Sequence, residues 1–124
     1  MISFLMPALN EEDALPVVIK SIPVSKLKTV GYSVEIVVVD NASTDNTAKV
    51  AKKLGARVVK ERKRGYGSAY KKGFKSVKGD IIITGDADNT YPFKDSLKFI
   101  KILEKEDLEF ITTNRFSNMG KKNI

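Results

Sequence analysis

The sequence predicts an α/β fold, a three-layer α/β/α sandwich built on a mostly parallel sheet. Three observations predict it. Short Val- and Ile-rich runs, among them Ile36–Val39 and Ile81–Ile83, lack polar alternation, as strands covered on both faces do. Between such runs lie longer stretches whose apolar residues return every three or four positions, as on one face of a helix. Gly, Pro, Asn and Asp collect at the junctions. A length of 124 residues, 42% hydrophobic and 30% charged, suits a single domain over residues 1–124 around one core.

In chain order, Ile2–Met6 reads as a strand ending at Pro7. Asn10 is then expected to cap a helix carrying Glu11, Glu12 and Asp13 in its first turn, where the dipole favours acids, with Pro16 and Pro23 interrupting it. Val34–Val39 is a second strand. Ser43, Thr44 and Asp45 open a helix whose Ala48, Ala51 and Leu54 keep helical spacing until Gly55 stops it. Arg57–Lys60 is a third strand. A helix from about Ser68 buries Ala69, Gly73 and Val77 and ends near Gly79. Ile81–Thr84 is a fourth strand, Phe93, Leu97, Ile100 and Leu103 stripe a fourth helix, and Leu108–Thr113 is a fifth strand. The alternation makes the connections parallel crossovers, and such sheets bind ligands beyond the carboxyl ends of their strands. Asn10, Glu11, Asp40, Asp86, Asp88 and Arg115 all follow strands and therefore share that rim.

Composition narrows the chemistry. The chain has no Cys, His or Trp, which excludes disulfides, thiolate nucleophiles, His bases and His/Cys zinc sites. A metal would have oxygen ligands. The net charge of +7 suits an anionic partner such as a nucleotide, nucleic acid or lipid headgroup. The longest apolar runs are strand-sized, far short of the roughly 20 residues of a spanning helix, and the opening Met1–Met6 is too short and uncharged for a signal peptide.

Four segments and Arg115 could carry function. In Gly85–Asp86–Ala87–Asp88, two carboxylates two apart on an extended segment project the same way, and a hard divalent cation, Mg²⁺ or Mn²⁺, would relieve their repulsion. A polar turn leaving a buried strand has the same composition. Asp40, at a strand end, can accept from a base N–H or ribose hydroxyls, whereas Ser43 and Asp45 are better explained as helix caps. The basic loop Lys60–Arg64 with Gly65 and Gly67 can meet phosphates through amides and cations, with Arg64 the best placed; a solvated loop is the plain alternative. Pro7–Glu11 completes the rim, Asn10 as a cap and Glu11 toward a ribose or the helix dipole. Arg115 can form a bidentate fork with a pyrophosphate.

Taken in order, Pro7-Ala-Leu-Asn-Glu11, Val37-Val-Val-Asp-Asn-Ala-Ser-Thr-Asp45, Arg64-Gly-Tyr-Gly-Ser-Ala69 with Gly73, Gly85-Asp-Ala-Asp-Asn-Thr-Tyr-Pro92 and Asn114-Arg-Phe116 resemble the nucleotide-sugar-binding part of family 2 glycosyltransferases. Within that family the Asp-Ala-Asp and Asn-Arg-Phe segments look most like the dolichol-phosphate mannose synthase and polyprenyl-phosphate glycosyltransferase group. The resemblance implies a Rossmann-like GT-A fold and inverting, metal-assisted transfer from a GDP- or UDP-linked sugar to a polyprenyl phosphate. It implies donor binding by Pro7, Leu9, Asn10, Glu11, Asp40, Arg64, Gly67, Asp86, Ala87, Asp88 and Arg115. Asp86 and Asp88 would hold Mg²⁺ or Mn²⁺, and Asp86, Asp88 and Arg115 would stabilise the leaving diphosphate.

Asn41-Ala42 stands where that motif usually has Asp-Gly, removing one acid, and Thr90 stands where the synthase group often has glutamine. The acceptor half, the usual general base and any membrane anchors are expected beyond Ile124. A nucleotide-sugar-binding module that needs a partner chain is the alternative reading. Nucleic acid is not expected, since the Lys residues look spread over helix faces and no recognition motif is present. These expectations put the chain in the cytoplasm, or peripherally at the cytoplasmic face of a membrane.

Overall fold

The structure, a computed structural model, describes residues 1–85, residue 87 and residues 110–112. Strands β1 (Ile2–Ala8), β2 (Val34–Asp40), β3 (Arg57–Lys60), β4 (Ile81–Thr84) and β5 (Phe110–Thr112) form a five-stranded sheet in the order β3-β2-β1-β4-β5. Every pairing is parallel, with Ile2 opposite both Val34 and Ile81. The alternating plan read from the sequence is therefore present. The predicted fourth helix over Phe93–Leu103 lies outside the described residues. The order reverses at β1, whose sequence successor β2 lies on one side and β4 on the other.

β1 runs through Pro7 to Ala8, two residues beyond the predicted end. A proline in a central strand forfeits a ladder hydrogen bond. Here it forfeits nothing, because the side it faces is already open. The Gly85 amide donates to Leu5 O (3.2 Å), whereas the Asn41 amide donates to Ala8 O (2.8 Å). Successive residues of β1 thus turn alternately to β4 and β2, and Pro7 turns to the β4 side, where pairing has ended at Leu5–Thr84. The missing N–H falls where the two strands part.

The helices cover both faces. Ile2, Phe4, Met6 and Ala8 of β1, with Val38 of β2, pack against Leu15, Val18 and Ile19 of α1 (Leu15–Ser21), Leu27 of α2 (Val24–Thr29) and Ala51 of α3 (Thr47–Lys53). Leu5, Val37 and Val39 point the other way and meet Ala69 of α4 (Tyr66–Ser76). Each fully buried Leu, Ile, Val or Phe contributes about 1.5–3 kcal/mol, so the core, rather than helix propensity, holds these short helices. Among the described residues no helix is long and apolar enough to cross a membrane.

Two helix starts differ from expectation. The first helix begins at Leu15, with no acid in its first turn, and Pro16 sits at its start, where a missing N–H costs nothing. Pro23 then separates α1 from α2 instead of kinking one helix. Helix α4 starts at Tyr66 rather than Ser68 and stops at Ser76, before Gly79. A Cβ on Gly79 would lie 2.6 Å from Met1 O and 2.8 Å from Ser3 N, so only glycine lets that turn approach the β1 backbone.

At the opposite end of the sheet from the strand carboxyl termini, Glu35 fastens this turn. Ser3 Oγ (2.6 Å) and the Lys78 amide (2.6 Å) donate to its Oε2, and Arg57 (2.9 Å) donates to Oε1. Burial would raise the Glu35 carboxyl, but the bonds from Ser3, Lys78 and Arg57 outweigh it and hold the group below its ordinary value of 4.5. A depressed folded value stabilises the fold above the unfolded value and loses that stability as pH falls through the folded one. Urea unfolding of Glu35→Gln should therefore show lower stability than the parent at neutral pH, by about 1–3 kcal/mol. The difference should shrink in acid.

Candidate functional site

A cleft of about 240 Å³ opens where β1 and β4 part, lined by Pro7, Ala8, Leu9, Glu11, Asn41, Gly65, Tyr66 and Ala87. It lies beyond the carboxyl ends of β1, β2 and β4 and at the N-terminus of α4, the crevice in which parallel sheets hold ligands. Its walls mix apolar surface with the polar groups of Glu11 and Asn41. The first turn of α4 adds the positive end of a helix dipole.

Of the residues singled out from the sequence, Pro7, Leu9, Glu11 and Ala87 line this cleft. Asp40 does not line it, but ends β2 opposite Ala8, 7% exposed, with Oδ1 accepting from the Ser43 amide (3.0 Å). Arg64 is exposed next to Gly65, and its guanidinium donates to Ala42 O (3.3 Å). Gly67 lies in the first turn of α4, outside the lining. Asp86, Asp88 and Arg115 lie outside the described residues. Ala87, the residue between the two acids in sequence, is 2% exposed and lines the cleft. Paired carboxylates on such a segment suit a hard divalent ion.

Asn10 is not the helix cap expected of it. It adopts φ 54°, a left-handed conformation asparagine tolerates. Its Oδ1 accepts from the Thr44 amide (2.8 Å) and the Asp45 amide (3.3 Å). It thereby ties the loop after β1 to the loop after β2. Asp45 does hold the start of α3, accepting from the Thr47 amide (2.9 Å) and from the Thr47 hydroxyl, and its other oxygen accepts from the Glu12 amide (3.3 Å). Desolvation works against ionisation of Asp45, but the Thr47 and Glu12 bonds outweigh it and hold its carboxyl below the ordinary value. Buried Thr47 completes the lock by accepting from the Glu11 amide (2.9 Å).

Sequence reasoning missed Asn41. Read there only as a lost acid, it is 5% exposed and lines the cleft. Its Nδ2 donates to Glu61 O (3.0 Å) and Lys63 O (2.8 Å), and its Oδ1 accepts from the Gly65 amide (2.9 Å). One carboxamide clamps the whole basic loop to the tip of β2, with Gly65 at φ 131° making the bend into α4. The available signal was an amide side chain directly after a buried strand.

Ala42, next in sequence, has φ 66°. That region costs an L-residue about 1–2 kcal/mol, against about 0.4–1 kcal/mol that glycine adds to unfolded-chain entropy. Ala42→Gly should raise stability by a few tenths to about 1 kcal/mol, read as a higher urea midpoint. A lower midpoint would show that the turn carries no strain.

Comparison with known proteins agrees with this architecture. The family model for glycosyl transferase family 2 matches residues 3–124. A low-salt glycan biosynthesis hexosyltransferase of Haloferax volcanii is 36% identical over 114 residues, 92% of this chain and 27% of that protein. A dolichyl-phosphate hexose transferase of the same organism is 31% identical over 102 residues, 82% of this chain and 42% of that one. The crystal structure of Mycobacterium tuberculosis glucosyl-3-phosphoglycerate synthase superposes with a TM-score of 0.69 at 33% identity, covering 84% of this chain and 40% of that one. This chain thus spans less than half the length of each of these proteins. With the parallel sheet, the cleft at its reversal point and a family match from Ser3 to the last residue, the chain belongs to glycosyl transferase family 2.

Proposed function

We propose that the chain binds a nucleoside-diphosphate sugar, GDP- or UDP-linked, and transfers the sugar with inversion to a polyprenyl phosphate at the cytoplasmic face of a membrane. The carrying observation is the cleft between β1 and β4, lined at once by Pro7, Leu9 and Glu11, by Gly65 and Tyr66 at the α4 N-terminus, and by Ala87, which lies between the two acids in sequence. In this reading Pro7, Leu9, Glu11 and Asp40 surround the base and ribose. Arg64 and the first-turn amides of α4, Gly67 among them, face the diphosphate, and Arg115 neutralises it. Asp86 and Asp88 hold Mg²⁺ or Mn²⁺, which when bound supplies charge stabilisation to the departing diphosphate. A relative named for dolichyl-phosphate hexose transfer supports the acceptor. A structural neighbour crystallised with Mn²⁺ and UDP supports the metal and donor.

The acceptor also fits the chemistry. A sugar hydroxyl needs a carboxylate to take its proton. A phosphate oxygen is already anionic at neutral pH. It attacks the anomeric carbon as the bond to the nucleoside diphosphate breaks, the electron pair leaves with the diphosphate, and no proton need move. Calorimetric titration with GDP, UDP, GDP-mannose and UDP-glucose, each with and without Mn²⁺, tests the donor half. Binding of one base series that requires metal is expected, with thermal stability rising only when both are present. No binding in any series would overturn the reading. Transfer of labelled sugar to a short polyprenyl phosphate then tests the acceptor.

A further inference from the structure

One stretch of this chain concentrates positive charge. Eight of its 22 Lys and Arg and only one of its 15 Asp and Glu fall between Lys60 and Lys78, so the remaining 14 bases and 14 acids cancel. The basic loop and α4 with their flanking lysines therefore carry a formal +7 within 19 residues, equal to the net charge of the whole chain. All eight cations are exposed, and among the described residues none of them is in a salt bridge. Helix α4 contains no acid.

The same helix carries an aromatic row. Ala69 and Gly73 face the sheet, and Tyr66, Tyr70 and Phe74, spaced by four, run along the adjacent shoulder. Their rings stack in sequence, with centroids 6.4 Å and 5.9 Å apart. Tyr66 is 67% and Phe74 45% exposed. Lys71 and Lys75 project one position further round. Apolar rings beside a dense row of lysines are the pattern of a helix lying in a membrane interface, with rings among the headgroups and ammonium groups on anionic lipid. The phosphates of a nucleic-acid duplex would meet the lysines, but its bases, stacked within the helix, would leave the aromatic row without a partner.

We propose that the α4 shoulder, with the loop 60–65, docks this chain on the surface of an anionic lipid bilayer. Tyr66 belongs to both the row and the cleft lining, so docking sets the cleft mouth at headgroup level, where the phosphate of a lipid-borne acceptor lies. The proposal deepens the polyprenyl-phosphate reading, but lipid docking is measurable without donor or acceptor.

The test is co-sedimentation of the full chain with vesicles of phosphatidylcholine alone and of phosphatidylcholine mixed with phosphatidylglycerol. Binding to the anionic vesicles only, weakening with salt, is expected. The double variant K71E/K75E should lower partitioning at least about tenfold. Phe74→Ser should lower it roughly fivefold, with the loss persisting at high salt. Both changes are on exposed positions outside the cleft, and unchanged thermal melts will show that the fold is kept. Equal binding to neutral and anionic vesicles, or variants that bind as well as the parent, would overturn the proposal. So would binding to duplex DNA or concentration-dependent self-association, lost in the same variants, with no vesicle binding. Donor titration separates the two readings. A parent chain that binds donor but not anionic vesicles overturns docking alone, and one that binds anionic vesicles but no donor overturns the donor assignment alone.

Discussion

Asn41→Asp should destabilise the chain by about 2–5 kcal/mol at neutral pH. This holds although the family motif usually has Asp at this position, because the loop of this chain is held by an amide that donates twice. The substitution is nearly isosteric, so packing is not the cause. Asn41 spends both amide hydrogens on the carbonyls of Glu61 and Lys63. A carboxylate there has no hydrogens to give and places a buried anion against two carbonyl oxygens. Only the bond from the Gly65 amide survives. The loop Glu61–Gly65 would detach from β2, taking Arg64 and the start of α4 away from the cleft. Asn41→Ala removes the same bonds without adding charge and should be milder, near 2–3 kcal/mol. The aspartate variant should also be acid-rescued. Its folded carboxyl would be raised above the unfolded value, so its deficit is greatest above that raised value and shrinks as pH falls through it. Urea midpoints of both variants between about pH 8 and pH 5 decide this. An aspartate variant as stable as the parent at every pH would show that the clamp has no energetic weight.

The second large effect is expected at Asp88. If the acidic pair holds the cation, Asp88→Ala should lower metal-dependent nucleotide affinity by at least about 100-fold, since one of two anionic ligands is lost beside a diphosphate. The melting temperature of the ligand-free chain should move little, or rise slightly as repulsion with Asp86 is relieved. Calorimetry with and without Mn²⁺ reads the first, and a thermal melt the second. Metal-dependent binding that survives in Asp88→Ala would leave the pair as a polar turn after β4.

The two asparagines show why the candidate site was only partly legible. Pro7, Leu9, Glu11 and Ala87 could be placed near the cleft because they follow strands of a parallel sheet, whose carboxyl ends share one rim, and because they sit in the motifs of the family resemblance. Asn10 and Asn41 could not, because what they do depends on partners elsewhere in the chain. Asn10 bonds to a residue 34 positions on, and Asn41 to one 22 positions on. An asparagine before an acidic run has the composition of a helix cap wherever it points. Only the meeting of two loops shows that Asn10 serves the neighbouring strand's loop.

By itself, then, the sequence determined the alternation of strands and helices, the parallel sheet, the family and the sheet edge at which the cleft opens. Each rests on a local period or a short ordered motif, which a chain carries whatever its surroundings. Tertiary structure decided the rest. It decided that Pro7 lies inside a central strand, because whether its missing N–H matters depends on where β4 stops. It decided that a lost acid at position 41 is a gained clamp, because two hydrogens of a buried amide meet two carbonyls that only the folded loop brings there. Hydrogen-bond satisfaction in a buried place is a property of the assembled neighbourhood, and no window of sequence contains it.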